Sequence, residues 1–357
     1  MVYVISKGDK LANLPVEHPS IDKVVTIRAG KFRRYHGEGW KQLLDVLTIL
    51  KNLRDFAYFI IGTFQSIKLL RAEKPDVIFI KGGFVGVPVG LAAAIFKVPY
   101  ITHDSDAISG LANRIISKWA KLHTVAMPIN EYKYDSTKTV QVGVPISKKF
   151  NLITENKLFE AKKKLGIDKS TKVILVTGGG NGSARINNTI VKISNKLFIR
   201  HPNTYILQFV GPGNKEKIEN DYSKLKRDNS KNILVEEFAT DFYKYSAASD
   251  IIITRAGAST LTEYASQGKV CIVIPNPNLT GGHQTKNARI LDKVKAIKVI
   301  KDKAIAENPE LLLKTIEDLL DNDKERKTLS ENIYKTFITD SAKKLANLIL
   351  DTGVENI

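Results

Sequence analysis

Residues 173–188, VILVTGGGNGSARINN, decide the fold. A β-branched apolar run predicts a buried strand, and a helical pattern begins near Ser183. The loop between them is rich in glycine: Gly178, Gly179, Gly180, Asn181 and Gly182. Glycine lets backbone N–H groups approach a ligand, and a helix start favours negative charge. The stretch therefore predicts a strand–loop–helix unit whose loop contacts a phosphate or a sugar. The alternative is a tight turn that needs positive φ.

Strand-like and helix-like runs alternate on both sides of this unit. Apolar runs such as DVIFIKGG and VPYITHDSD precede it, and NILVEEF, DIIITRAG and VCIVIPN follow it. A polar, lysine-rich segment separates the two series, and two helical stretches, PELLLKTIEDLLD and SENIYKTFITDSAKKLANLILD, end the chain. This alternation predicts an α/β protein with two doubly wound parallel sheets, a class that often binds nucleotides or nucleotide sugars.

Length and charge narrow the classes of function. The chain has 357 residues, enough for two domains, and its formal charge is +18. Such a charge favours anionic partners, with a solvated basic surface as the alternative; no nucleic-acid motif supports nucleic acid as the partner. The single Cys271 fits a reducing compartment. With no signal peptide visible and the longest apolar run limited to residues 56–64, we expect a cytoplasmic protein.

Residues 253–268, ITRAGASTLTEYASQG, are the most informative stretch for chemistry. Arg255 follows an apolar strand, where a charge is costly unless it is paired. Ser259 or Thr260 can cap the next helix, whose first N–H groups could bind a pyrophosphate. Glu263 could accept both hydroxyls of a ribose, or could simply complement the helix dipole.

Residues 274–291, IPNPNLTGGHQTKNARIL, predict a loop and then a helix that starts near His283. Gln284 and Asn287 lie three residues apart, on one helical face. Their amides could bind sugar hydroxyls or could cap the backbone.

The first half offers two loops after strands. Gly82 and Gly83 follow a strand, and ligand contact and a packing turn are equally compatible with them. His103, Asp104 and Asp106 cluster at another strand tip, where one of them could act as a general base. No further ligand cluster supports a metal site, so we expect no metal and no cofactor.

Residues 30–44, GKFRRYHGEGWKQLL, interleave basic and aromatic side chains before a helix with an apolar side. Cations next to amphipathic aromatic rings suit an anionic bilayer surface. An ordinary exposed basic loop is the alternative interpretation.

Taken together, the motifs resemble those of the MurG family. GGFVGVPVG, GLANR, VGVP, GGGNGS, RAGASTLTE and HQTKNA occur in the family's order from the first strand to the C-terminus. The resemblance implies a GT-B fold with an acceptor domain at residues 1–149, joined by a helix at about 338–357, and a UDP-sugar domain at 165–335. It also implies an inverting transferase that moves N-acetylglucosamine from UDP-N-acetylglucosamine to a lipid-linked muramyl-pentapeptide, lipid I, giving lipid II. The family works at the cytoplasmic membrane face as a peripheral protein.

The resemblance assigns roles at matched positions. Phe238 and Ala239 would meet the uracil, Glu263 the ribose, and Gln284 with His283 the sugar hydroxyls. The diphosphate would be lined by Arg255 and by the backbone of Ala258, Ser259 and Thr260. The glycine loop would be residues 178–183, and Asn287 is matched as well.

The chain departs from the family pattern in several places. His103-Asp104-Ser105-Asp106 stands where the family has His-Glu-Gln-Asn. The opening VYVISKGDKL matches the family's second strand, so the resemblance implies that the first strand, the Gly-Gly-x-Gly-Gly-His loop with the usual base, and the first helix are missing here. Two other functions therefore remain open, a non-catalytic UDP-sugar-binding protein and a UDP-sugar epimerase.

Overall fold

The computed structural model describes residues 1–9, 16–31, 46–225 and 230–354. The chain forms two compact units. The first unit comprises Met1–Gly143 together with Asp340–Ile357, and the second comprises Val144–Thr339. The C-terminal segment thus belongs to the unit that the N-terminal half builds.

The first unit alternates strands and helices. Its described strands are β1 (Val2–Ser6), β2 (Lys23–Ile27), β3 (Ile78–Ile80), β4 (Tyr100–Asp104), β5 (Leu122–Val125) and β6 (Thr139–Gln141). Its described helices of more than one turn are α1 (Val46–Glu73), α2 (Gly86–Phe96), α3 (Leu111–Ile116) and α13 (Ser341–Val354). Three short 3-10 helices lie at Ser117–Trp119, Ile129–Glu131 and Ser136–Lys138.

Two parallel sheets are present in the described part of this unit. β1 pairs with β2, and β3, β4, β5 and β6 pair in that order. The core between the larger sheet and its helices contains Leu70 of α1, Ala92 of α2, Tyr100 of β4 and Ile116 of α3. The carboxyl ends of β3, β4 and β5 lie side by side, so the loops that follow them form one edge of the sheet.

In the described residues of the second unit, six strands form one parallel sheet. Its strands are β7 (Lys172–Thr177), β8 (Thr204–Phe209), β9 (Ile233–Glu236), β10 (Ile251–Thr254), β11 (Val270–Val273) and β12 (Lys298–Val299). Its described helices are α4 (Glu155–Lys164), α5 (Ala184–Arg200), α6 (Lys215–Ser223), α7 (Phe242–Ala248), α8 (Ala258–Gln267), α9 (His283–Lys293), α10 (Asp302–Glu307), α11 (Glu310–Asp321) and α12 (Asp323–Lys335), with 3-10 turns at Ser230–Asn232 and Thr280–Gly282.

The strand order of this sheet is β12-β11-β10-β7-β8-β9. From β7 the chain proceeds outward to β8 and β9, and it then returns to the other side of β7 with β10. In a doubly wound sheet this reversal leaves a crevice at the carboxyl ends of the two central strands, here β7 and β10. Both faces are buried, because Ile174 and Val176 enter one apolar core and Val173 and Leu175 enter the other.

A break separates the last two helices of the described chain. α12 ends at Lys335 and α13 begins at Ser341. Asp340 adopts a left-handed backbone conformation with φ of 58°, which a helix interior does not accommodate. The break coincides with the return of the chain from the second unit to the first.

Two observations concern the predicted membrane side. Of the basic and aromatic stretch at residues 30–44, residues 32–44 lie outside the described residues. Within the described ranges, no helix combines the length and the apolar character that crossing a bilayer requires.

Candidate functional site

The glycine loop after β7 is tightly folded at its two ends. A Cβ atom on Gly178 would lie 2.2 Å from the Ser183 backbone nitrogen. Gly182 has φ of 71°, and a Cβ there would lie 2.0 Å from the Val210 carbonyl oxygen. No side chain fits at either position, so both glycines are required by packing.

The middle of the loop is open. A Cβ atom on Gly179 or Gly180 would meet no atom within 4 Å. The Gly179 N–H donates to the Thr177 hydroxyl at 3.1 Å, and the Gly182 N–H donates to the Gly179 carbonyl at 2.9 Å. The two readings of the sequence therefore apply to different residues: the ends form a tight turn, and the middle leaves space beside the backbone.

The loop leads directly into helix α5. Ser183 is the N-cap, and its hydroxyl accepts from the Ile186 N–H at 3.5 Å. Asn187, buried in the first turns, donates to the Val210 carbonyl at 3.0 Å. These bonds fix the start of α5 against the end of β8, with its first N–H groups at the sheet edge.

Arg255 joins this loop to the end of β10. Its Nη2 donates to the Ser183 hydroxyl at 2.6 Å, and its Nη1 donates to the Ile274 carbonyl at 3.0 Å. Nη1 also lies 2.6 Å from Oδ1 of Asp302, at the start of α10. The other oxygen of Asp302 pairs with Arg185. The structure thus supplies the partner that a charge at the end of an apolar strand requires.

Helix α8 starts three residues after Arg255. Gly257 is its N-cap, and the first intrahelical bond runs from the Leu261 N–H to the Gly257 carbonyl at 2.9 Å. The N–H groups of Ala258, Ser259 and Thr260 precede that bond, as at every helix start. Two helix N-termini, those of α5 and α8, therefore follow neighbouring strands.

Glu263 lies in the second turn of α8. Its side chain is partly buried, and burial raises the pKa of its carboxyl group to about 7. A carboxylate taken out of water without a positive partner behaves in this way. An arriving hydrogen-bond donor would stabilise the charged form.

The two side-chain amides of helix α9, those of Gln284 and Asn287, make different contacts. Gln284 accepts from the Asn276 N–H at 2.9 Å through its side-chain oxygen and so shapes the loop after β11. Asn287 is fully buried and donates to the Ala256 carbonyl at 3.0 Å. His283 opens the helix. Asn287 therefore anchors α9 to the residue after Arg255.

Phe238 and Ala239 follow β9 at the other side of the sheet. The Phe238 side chain is 67% exposed, whereas Ala239 packs against the core. An exposed aromatic ring next to a strand end offers a flat face for stacking.

In the first unit, the polar residues at the end of β4 are held by the protein itself. His103 is fully buried; its Nδ1 lies 3.0 Å from the Thr124 hydroxyl, and its Nε2 has no hydrogen-bond partner in the described chain. Burial, aided by the charge of Lys81, lowers its pKa to about 4. An imidazole in this position is neutral and closed to solvent.

Asp104 and Asp106 differ in their surroundings. The Asp104 carboxylate accepts from the Gly110 N–H at 2.8 Å and from the Tyr134 hydroxyl at 2.7 Å, and burial raises its pKa. Asp106 is less buried, and its carbonyl accepts from the Tyr132 hydroxyl at 2.8 Å. His103 and Asp104 thus hold the end of β4 in place.

Gly82 and Gly83 lie after β3 with φ of 98° and 82°. A Cβ atom on Gly82 would lie 3.6 Å from Nδ2 of Asn113, whereas one on Gly83 would meet nothing within 4 Å.

No group of three His, Cys, Asp or Glu residues able to hold a metal ion occurs in the part of the chain described.

Comparisons with known proteins show the family of this chain. Residues 20–124 match the glycosyltransferase family 28 N-terminal domain, and residues 173–345 match its C-terminal domain. A relative from Caldicellulosiruptor saccharolyticus is 30% identical over 90% of this chain and 82% of its own length. Its name is UDP-N-acetylglucosamine--N-acetylmuramyl-(pentapeptide) pyrophosphoryl-undecaprenol N-acetylglucosamine transferase. This chain belongs to the MurG family.

Solved structures agree on the fold. MurG of Acinetobacter baumannii superposes with a TM-score of 0.69 and 24% identity, covering 95% of this chain and 88% of its own. A UDP-GlcNAc 2-epimerase from Neisseria meningitidis, bound to UDP-GlcNAc, gives a TM-score of 0.60 at 16% identity, with 98% and 99% coverage. The predicted MurG resemblance, the GT-B fold class and the glycosyltransferase class are confirmed.

Sequence reasoning assigned no role to two members of the second unit's polar cluster, Asp302 and Arg185, which lie beside Arg255. Arg185 stands in the opening stretch at residues 173–188, whereas Asp302 lies outside every motif. The one available signal was the unexplained charge of Arg255 after a buried strand, which requires an acidic partner somewhere in the chain. For a MurG family member, the donor-side positions predicted from sequence all fall within one unit.

Proposed function

We propose that this protein transfers N-acetylglucosamine from UDP-N-acetylglucosamine to a lipid-linked muramyl-pentapeptide, converting lipid I to lipid II in peptidoglycan synthesis. One observation carries the proposal. The glycine loop before α5 and the start of α8 follow the two central strands β7 and β10, and Arg255 bonds directly to the cap of α5. Such a switch point of a parallel sheet is where nucleotides bind.

The diphosphate of the donor would lie at this switch point. Gly179 and Gly180 leave open space beside their backbone, and the N–H groups of Ala258, Ser259 and Thr260 stand at a helix start. Helix N-termini favour anions because of both their N–H groups and the helix dipole. Arg255 adds positive charge at the edge of the same loop.

The rest of the donor would contact three other elements. The Glu263 carboxylate would accept from the ribose hydroxyls, and Phe238 with Ala239 would meet the uracil. His283 and Gln284, at the start of α9, would bind the sugar hydroxyls. The exposed ring of Phe238 and the partial burial of Glu263 support these assignments.

The reaction would invert the anomeric carbon in a single displacement. The acceptor hydroxyl attacks that carbon and loses its proton, the new glycosidic bond forms, and the bond to the β-phosphate oxygen breaks. The negative charge that develops on the departing UDP would be met by the helix N-termini and Arg255. Gly82 and Gly83 are the acceptor-side positions in the first unit.

Product analysis tests the proposal against the two alternatives. The protein is incubated with UDP-N-acetylglucosamine, with and without a soluble lipid I analogue, and the products are separated. We expect a disaccharide product and UDP only when the acceptor is present. Conversion of the donor sugar without an acceptor would indicate an epimerase, and binding without turnover would indicate a UDP-sugar-binding protein.

Glu263→Ala is expected to weaken UDP binding at least about tenfold, or about 1.4 kcal/mol, because the ribose loses its acceptor. Calorimetric titration of the wild type and the variant with UDP measures the change. Glu155→Ala, at the start of α4, is the matched control and should leave the affinity unchanged. Equal UDP affinities for the wild type and Glu263→Ala would refute the ribose assignment.

The pH dependence of UDP binding tests the same carboxylate. Because the pKa of Glu263 is about 7 in the free protein and ribose hydroxyls favour its charged form, affinity should fall as the pH drops below 7. Glu263→Gln should bind more weakly at pH 8 and lose this dependence. A variant with the wild-type pH profile would show that another group titrates.

We also propose that the first unit docks on an anionic bilayer, as a peripheral protein of the cytoplasmic membrane face. Mostly apolar side chains line a pocket of about 420 Å³ between α1, α2 and Trp119: Phe59, Ile60, Thr63, Phe64, Leu91, Ala94, Ile95 and Trp119. Phe64 is 68% exposed and Ile95 62%. Basic residues adjoin this apolar surface in the chain: Lys68, Arg71, Lys97 and Lys118. Exposed apolar side chains can insert into the bilayer interface, and the surrounding cations can bind anionic lipid headgroups.

The double variant Phe64→Ser/Ile95→Ser is expected to bind anionic vesicles at least about tenfold more weakly, because each side chain loses apolar area that the bilayer would bury. Sedimentation with phosphatidylglycerol-containing vesicles measures the partition. Ile199→Ser, which changes a 63% exposed residue of the second unit, is the matched control. Unchanged partition of the double variant would exclude this surface.

A further inference from the structure

The link between Arg255 and the glycine loop depends on a residue outside every donor-binding motif. Asp302, the first residue of α10, has a side chain that is only 5% exposed. One of its oxygens pairs with Arg255 and the other with Arg185. A single buried carboxylate therefore holds two guanidinium groups that come from different segments of the chain.

The two arginines differ in their exposure and attachment. Arg255 is 11% exposed and follows β10, whereas Arg185 is 45% exposed and lies in the first turn of α5. Without the carboxylate, two positive groups would face each other at the edge of a buried region, where like charges repel strongly. Both side chains would then move apart, and the bond from Arg255 to Ser183 would lose its support.

Ser183 carries this effect to the loop. Its hydroxyl caps α5 and also accepts from Arg255 at 2.6 Å. The loop residues before it approach other backbone atoms closely, as the Gly178 and Gly182 contacts show. A small displacement of Ser183 therefore shifts the backbone of Gly179 and Gly180, beside which the loop is open.

We propose that Asp302 is a positioning residue of the donor site: by pairing Arg255 with Arg185 it holds the cap of α5, and so the glycine loop, in the geometry that receives a nucleoside diphosphate. The proposal rests on the proposed function for the identity of the ligand. The effect of Asp302 passes through Arg255 and Ser183, and Asp302 itself makes no contact with the ligand.

Asp302→Asn removes the charge and keeps the shape. We expect its affinity for UDP to fall at least about tenfold, or about 1.4 kcal/mol, while its affinity for uridine, which lacks phosphate, changes less than about twofold. Glu307→Gln, which changes an exposed carboxylate at the other end of α10, should bind both ligands as the wild type does. Equal losses for UDP and uridine would overturn the proposal.

A double-mutant cycle tests the route through the cap. If Asp302 acts through Ser183, then Asp302→Asn/Ser183→Ala should bind UDP no more weakly than the worse single variant. Multiplied losses would mean that the two residues act independently. Should Asp302→Asn fail to fold, Asp302→Glu serves instead, because the longer side chain keeps the charge but displaces both guanidinium groups, and the same selective loss of UDP is expected.

Amide hydrogen exchange in the ligand-free protein separates this proposal from the proposed function. Faster exchange of residues 178–186 in Asp302→Asn, with Glu307→Gln as the control, supports the positioning role. Unchanged exchange in this segment overturns it. A wild-type protein that binds no UDP would refute the proposed function and leave the exchange result to decide the role of Asp302.

Discussion

Gly182→Ala is expected to lower the free energy of unfolding by about 2–4 kcal/mol, because it combines left-handed backbone strain with overpacking. The φ of Gly182 is 71°, and the new Cβ would lie 2.0 Å from the Val210 carbonyl oxygen. The contact is with backbone on both sides, so no side chain can rotate away. Denaturant titration of the wild type and the variant measures the difference.

The same loop supplies the matched control for this prediction. Gly180→Ala adds a Cβ atom in open space, so its unfolding free energy should stay within about 0.5 kcal/mol of the wild type. UDP affinity should fall at least about tenfold in Gly182→Ala, because the Gly179 and Gly180 backbone is displaced. A Gly182→Ala protein as stable as Gly180→Ala would contradict the close approach to Val210.

Lys162→Met is expected to lower the free energy of unfolding by about 3 kcal/mol, because it leaves the buried carboxylate of Asp250 without its ammonium partner. Lys162 Nζ lies 2.7 Å from Oδ2 of Asp250, with side chains 2% and 9% exposed. Nζ also donates to the Thr171 carbonyl at 2.8 Å, and Asp250 accepts from the Val173 N–H at 2.7 Å. The pair therefore holds α4 and the start of β7 together.

Two further variants separate the effect of the unpaired charge from that of lost packing. Lys162→Met/Asp250→Asn removes both charges and should recover a large part of the lost stability. Lys172→Met breaks an exposed pair with Asp323 at 4.0 Å and should cost less than about 0.5 kcal/mol. If the single and double variants at Lys162 were equally unstable, the cause would be lost packing and not the unpaired charge of Asp250.

The order of elements and the family were available from the sequence, because both depend on local patterns. The β-branched run before Gly178 is β7, and the helix predicted near Ser183 begins at Ala184 with Ser183 as its cap. Glycine content, hydrophobic period and capping residues act over a few positions, so they can be read without coordinates. The exact ends of α12 and α13 depend on the left-handed backbone at Asp340, which these patterns do not report.

The roles of individual site residues depended on contacts between distant segments. His103 and Asp104 resembled a general base and a carboxylate at a strand tip, yet the fold buries the imidazole and binds the carboxylate to Gly110 and Tyr134. Neighbouring glycines also differ in kind, since Gly182 is confined by Val210 and Gly180 faces open space. Sequence spacing has no information about which atoms approach a given Cβ position.

By itself the sequence determined two parallel α/β halves, the loops that carry chemistry, and membership of the MurG family, since each rests on short-range pattern or on motif order. Only the tertiary structure decided how Arg255 is used. Its charge required a partner, and the partner is Asp302, 47 residues away in the chain. Arg255 and Asp302 come into contact because parallel crossovers bring the segments after β10 and β12 to the same edge of the sheet. No local sequence pattern predicts that contact.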